Sequence, residues 1–172
     1  GSEMCKETAY AVLTTTVIVG SILAAIIGSI SFWGSIVAFA KLQGIIPGRP
    51  IGLGKAQQIV NAVLFIAAVA FAIVIGVNVG EFGNIWWMLG IIIVSAILGL
   101  MLVLPIGGAD MPVVISLLNA MTGLSAAAAG LAINNTAMIV AGMIVGASGT
   151  ILTNLMAKAM NRSVLNLSLI HI

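Results

Sequence analysis

Long apolar runs separated by short polar stretches divide the chain into five. They cover about Val12 to Ala40, Ile59 to Val79, Ile85 to Leu104, Pro112 to Ile133 and Ala137 to Ala157. Each approaches or exceeds the roughly 20 residues that a membrane-spanning helix needs. The first is long enough to tilt or to project from the bilayer. The strict alternation of membrane β-strands is absent, which argues against a barrel. The pattern therefore predicts an all-α fold, a polytopic bundle of five transmembrane helices.

Small residues repeat at helical spacing in three of these runs. Thr16, Gly20, Ala24, Gly28, Ser31, Ser35 and Ala38 fall on one face of the first. Ser116, Asn119, Gly123, Ala126 and Gly130 do so in the fourth, with Val114, Leu117, Leu118 and Met121 opposite. Gly142, Gly146, Gly149 and Thr153 do so in the fifth. Such stripes let helix backbones approach closely in lipid, so packing is the plain expectation for the glycines. The second and third runs carry only isolated polar residues, Asn61, Asn78 and Ser95. Helices one, four and five are thus expected to pack inward, and two and three to face lipid more.

Composition removes the soluble alternative. The chain is 62% hydrophobic and 6% charged, against about 25% charged in soluble domains. The formal charge of +2 rests on too few residues to suggest nucleic acid. The first loop carries Lys41, Arg49 and Lys55, the second Glu81 and the third Asp110. The fourth, Asn134-Asn135-Thr136, reads as a tight uncharged turn, and Lys158 and Arg162 follow the fifth run. The basic residues collect on one side, which the positive-inside rule makes cytoplasmic or matrix. The N-terminus is then expected outside and the C-terminus inside, with Trp86 and Trp87 at the outer boundary.

Candidate chemistry is sparse. Cys5 is the only cysteine and His171 the only histidine, so neither a metal cluster nor a disulfide can be assembled. Gly52-Leu53-Gly54-Lys55 lacks the upstream glycine of a P-loop, and Ala56 stands where Ser or Thr is needed. No paired carboxylates or Ser-His-Asp set is present. What remains is Asp110, set after Gly107-Gly108-Ala109 as a helix N-cap whose carboxylate could accept from the first N–H groups. Pro112 follows in the first turn, where its missing N–H is harmless. Asn119 lies roughly 13 Å deeper along the same helix, near the middle of a hydrocarbon core about 30 Å thick. A midplane amide is costly without a partner or water. Either residue alone could be a cap or an interhelical bond; together, at two depths of one helix, they suggest a polar route.

Gly107-Gly108-Ala109-Asp110-Met111-Pro112-Val113-Val114, followed by Leu118-Asn119, resembles the membrane region of the beta subunit of proton-translocating NAD(P) transhydrogenases. Gly34-Ser35-Ile36-Val37-Ala38-Phe39-Ala40-Lys41-Leu42, Gly146-Ala147-Ser148-Gly149 and Ala159-Met160-Asn161-Arg162-Ser163 resemble further pieces of it. The likeness is dense from about Leu104 to Ser163, moderate from about Gly28 to Ile51 and weak between.

The resemblance implies an enzyme that couples hydride transfer between NAD(H) and NADP(H) to proton movement. Asn119, with Ser116 and Ser35, would line the proton path. Asp110 and Arg162 would couple that path to the NADP(H)-binding domain. Gly123, Gly130, Gly142, Gly146, Ser148 and Gly149 would serve helix packing and a hinge. The implied whole is a homodimer with an NADP(H)-binding domain and an NAD(H)-binding alpha subunit or domain. The family's proton-binding histidine would lie on a membrane helix upstream of Gly1 or on a partner subunit. The enzyme would sit in a lipid bilayer; the pattern favours a bacterial plasma membrane, with the mitochondrial inner membrane as the alternative.

Residues 1–163 are accordingly expected to be a fragment of a larger membrane domain. Residues 164–172 form a short tail unlike the family's glycine-rich continuation, which reads as a truncated or artefactual end. The fragment itself is expected to bind no cofactor or metal and to be inactive alone. Two other readings use the same residues: a small-solute permease core, which would require a substrate-sized cavity, and a structural membrane anchor, which needs only packing.

Overall fold

The computed structural model describes residues 2–52, 54, 56–77 and 84–161. Among these, the elements are α1 (Ser2–Leu42), α2 (Ala56–Val77), α3 (Asn84–Val103), a single 3-10 turn (Gly108–Asp110), α4 (Met111–Ala132) and α5 (Thr136–Ala159). All five α-helices are long and apolar enough to cross a membrane. Helix α1 begins at Ser2 rather than Val12. Its polar start is helical too, and only Thr15–Leu42 has the composition of a span. Glu3, Lys6 and Glu7 are good helix formers, so the helix runs past its apolar segment.

The helix ends follow from local chemistry. Gly44 takes a positive φ of 73° after α1, and Ile45 N–H returns to the Ala40 carbonyl. At the α4–α5 turn the left-handed residue is Asn134, with φ 53°. Its N–H meets the Leu131 carbonyl while Asn135 N–H meets that of Gly130, a Schellman closure. Asn135 then caps α5, its side chain accepting from Met138 N–H at 3.2 Å. Two successive asparagines thus end one helix and start the next, because each can use its short amide where a larger side chain would strain the backbone.

The helices stand in a row, α2–α3–α1–α4–α5, with only slight contact between α1 and α2. Helices α1 and α3 run parallel: the Ser29 hydroxyl donates to the Ile92 carbonyl, and Gly34 lies against Val103. Helix α4 runs against both α1 and α5. It presents two seams: Val114, Leu118 and Ala128 toward α1, and Ser116, Ala120, Gly123 and Ala127 toward α5. Residues 114, 118, 121, 125 and 128, and 116, 120, 123, 127 and 130, each step by threes and fours, the spacing of a helix–helix seam.

Backbone approach at these seams needs glycine. A Cβ on Gly142 would lie 2.5 Å from Ala127 N, and one on Gly123 2.6 Å from Gly146 N. Helix α1 meets α4 the same way at Gly20, and α3 meets α1 at Gly99, where a Cβ would fall 2.6 Å from the Ile30 carbonyl oxygen.

The inward grouping of helices one, four and five therefore needs correction. Helices α1 and α4 are central, while α5 is an edge helix that buries only its Gly142–Gly146–Gly149–Thr153–Ala157 face. Helix α3 packs on α1 along a seam to which it contributes just one glycine, Gly99, and so shows no stripe of small residues of its own.

Candidate functional site

One end of the row gathers the C-terminal ends of α1 and α3 and the N-terminal ends of α2 and α4. A buried apolar cluster seals it: Val37, Ala38, Val103, Ile106, Met111, Val114 and Leu118. Above that cluster the segment from Leu104 to Gly107 leads into the 3-10 turn that carries Asp110.

This segment is held by backbone and side-chain bonds from three neighbours. Ile51 N–H donates to the Leu104 carbonyl at 3.1 Å, and Gly108 N–H to that of Gly48 at 2.9 Å. The Gln57 amide, buried in the first turn of α2, donates to the Met101 carbonyl at 2.7 Å. The Lys41 ammonium, in the last turn of α1, reaches the carbonyls of Val103 (3.5 Å), Leu104 and Ile106 (2.7 Å).

Lys41 is only 5% exposed. It is not the loop cation that the sequence suggested. Its three donors meet carbonyls at and just past the end of α3, where the helix dipole is negative; those of Val103 and Leu104 also accept from the N–H groups of Ile106 and Ile51. The signal was present in the spacing: Gly34, Val37, Ala38 and Lys41 continue one buried seam.

Asp110 stands between the 3-10 turn and α4, half-buried, with φ −92° and ψ 0°. The expected side-chain cap is not formed. The preceding turn supplies backbone partners instead: Asp110 N–H donates to Gly107 O, and Met111 N–H to Gly108 O. Pro112, in the first turn of α4 as expected, has no N–H to be capped. The Asp110 side chain thus does not cap its own helix.

The polar residues of α4 separate. Ser116 is buried against α5, its hydroxyl 3.0 Å from that of Thr153 and 3.5 Å from the Gly149 carbonyl; Thr153 also bonds Gly149 O at 2.8 Å. Asn119 is exposed and makes no hydrogen bond among the described residues. Three residues turn a helix through 300°, so Asn119 stands about 60° off Ser116 and leaves the α5 seam. The single stripe of Ser116, Asn119, Gly123, Ala126 and Gly130 is thus two surfaces, with Asn119 outside the seam.

Ser35 likewise leaves the α1 seam to Gly34; it is exposed and bonds the Ser31 carbonyl at 2.7 Å. Since Gly34 packs on Leu118, Ser35 and Asn119 sit at one level of the bundle.

Gly123, Gly130, Gly142, Gly146 and Gly149 all lie in the α4–α5 seam. Ser148 does not: it is exposed, its hydroxyl turned back to the Val145 carbonyl at 3.2 Å. One residue from Gly149 is a 100° turn, which carries it off the packed face. Ser125, which the stripes missed, donates across to the Ala24 carbonyl at 3.0 Å. Arg162, Glu81, Lys55 and the tail 164–172 lie outside the described residues.

Residues 2–171 match the family described as NAD(P) transhydrogenase beta subunit. Two curated relatives, each named NAD(P) transhydrogenase subunit beta and each from Rhodospirillum rubrum, are 42% identical over 143 residues, 83% of this chain. The chain spans about 30% of the length of those relatives. The membrane helices, the Asp110 turn and the matched residues lead to one conclusion: the chain belongs to the NAD(P) transhydrogenase beta subunit family.

Proposed function

We propose that this chain is the membrane, proton-conducting part of an enzyme that couples hydride transfer between NAD(H) and NADP(H) to proton translocation. Family membership supports this reaction. The observation that carries the residue-level reading is the Asp110 turn, bonded by the first loop at Gly108 and preceded by a stretch that Lys41 of α1 holds, with an Asp110 side chain that does not cap α4.

In this reading Asn119 and Ser35, exposed at one level, line the path together with the membrane helix that bears the proton-binding histidine. Ser116 supports the path from the α5 seam. Asp110 and Arg162 couple the path to the NADP(H)-binding domain. This reading assigns both nucleotides to the NADP(H)-binding domain and to an NAD(H)-binding alpha subunit or domain of a homodimer. The chain alone is then inactive. The end carrying Lys41, Arg49, Asp110 and Lys158 faces the cytoplasm of a bacterial plasma membrane.

Coupling of this kind requires two states of the path with different proton affinity, each favoured by one redox state of the nucleotide. Asp110 supplies a charge at the boundary where those states must be distinguished. In the complete enzyme Asp110→Asn is expected to lower the coupled rate by about tenfold or more, while nucleotide binding to the isolated soluble domains persists. Wild-type coupled rates in that variant would contradict the reading.

A further inference from the structure

We propose that Lys41 is a positioning residue for Asp110, clamping the segment ahead of the Asp110 turn so that the turn and helix α1 move as one. The proposal rests on the functional reading above and deepens it.

All three Lys41 contacts are to one short segment far along the chain, the carbonyls of Val103, Leu104 and Ile106. Simple capping does not require a charge here. Gln57 satisfies Met101, one turn earlier on α3, with a neutral amide. A buried ammonium carries a desolvation cost that an amide does not, and it is repaid only if every donor finds an acceptor, as here.

The clamp also has a direction. Lys41 ends the helix that carries Ser35, and the clamped segment leads through Gly107 to Asp110. The first loop closes the other side, through Ile51 to Leu104 and Gly48 to Gly108. Axial movement of α1 must either carry Leu104–Ile106 with it or break three charge-assisted bonds. A displacement at the Asp110 turn therefore reaches α1 through named contacts, which is a physical link rather than mere proximity.

The test uses the complete enzyme reconstituted in sealed vesicles. Coupled rate and protons moved per hydride transferred are measured for wild type, Lys41→Met, Lys41→Arg, Asp110→Asn and the double variant Lys41→Met/Asp110→Asn. Lys41→Met is expected to lower both readouts, the rate by about fivefold or more, with partial recovery in Lys41→Arg. The double variant is expected to be no worse than Asp110→Asn alone, since Lys41 acts through Asp110. Ser29→Ala removes another α1–α3 bond, remote from the turn, and is expected to leave both readouts unchanged.

Wild-type values in Lys41→Met, or losses that multiply in the double variant, overturn the proposal. If Lys41→Met does not assemble, Lys41→Gln is read in its place; failure of both makes Lys41 a folding residue and also overturns it. Wild-type values in Asp110→Asn instead overturn the functional reading, and this proposal with it.

Discussion

Burial sorts the glycines of α5 by what they touch. Gly142 is pressed on backbone, since a Cβ there would lie 2.5 Å from Ala127 N and 2.6 Å from the Gly123 carbonyl oxygen. A Cβ on Gly146 would lie 3.2 Å from the Leu124 side chain, which can shift, and no closer than 3.6 Å to backbone, at the Ala120 carbonyl oxygen. Gly142→Ala is therefore expected to destabilise the bundle by about 1–3 kcal/mol, and Gly146→Ala by clearly less. Thermal unfolding of the two purified variants in one detergent checks the order, and equal losses would contradict it. Lys41 is the residue that sequence reasoning misplaced. Its charge argued for a loop, but its spacing from Val37 and Ala38 put it on a buried seam. The carbonyls that make burial tolerable come from residues 103–106, more than sixty positions away, and no local pattern announces them.

The helices themselves were legible because hydropathy dominates in lipid. Four of the five match their expected limits within a few residues. The Asn134-Asn135 turn was legible as well, through two residues suited to a left-handed stop and a cap. What remained hidden was which face of each helix is used. A stripe of small residues names a surface about 100° wide, yet α4 divides it: Ser116 and Gly123 pack on α5 while Asn119 turns outward. Helix α3 was expected at the lipid because it lacks such a stripe. It packs on α1 at Gly99 and at Val103 against Gly34, with Leu98, Ile91 and Ser95 buried along its length. Asp110 was correctly set at the mouth of α4, but the 3-10 turn that relieves it of capping depends on bonds from the first loop, which sequence spacing does not reveal.

At the scale of the molecule, the row of helices brings the basic residues Lys41, Arg49 and Lys158 to the end that carries Asp110, and the Asn134–Asn135 turn to the other. The proposed orientation follows from that asymmetry. In a Cys5→Ser background, a membrane-impermeant thiol reagent is expected to label Gly48→Cys from the cytoplasmic side and Ile133→Cys from the opposite side. Gly48 has nothing within 4 Å of a Cβ and Ile133 is 64% exposed, so both variants suit the assay. Labelling with the sides exchanged would reverse the topology.

The central claim is that this bundle carries the proton route and is not merely an anchor. Asn119 decides it, because the amide is exposed and makes no hydrogen bond among the described residues. Asn119→Leu is thus expected to leave the packing of these five helices unchanged, since no hydrogen bond among the described residues is lost. Proton uptake coupled to hydride transfer, measured in vesicles containing the complete enzyme, is predicted to fall by about tenfold or more in this variant. Coupled uptake at the wild-type rate would contradict the account and leave the chain as an anchor.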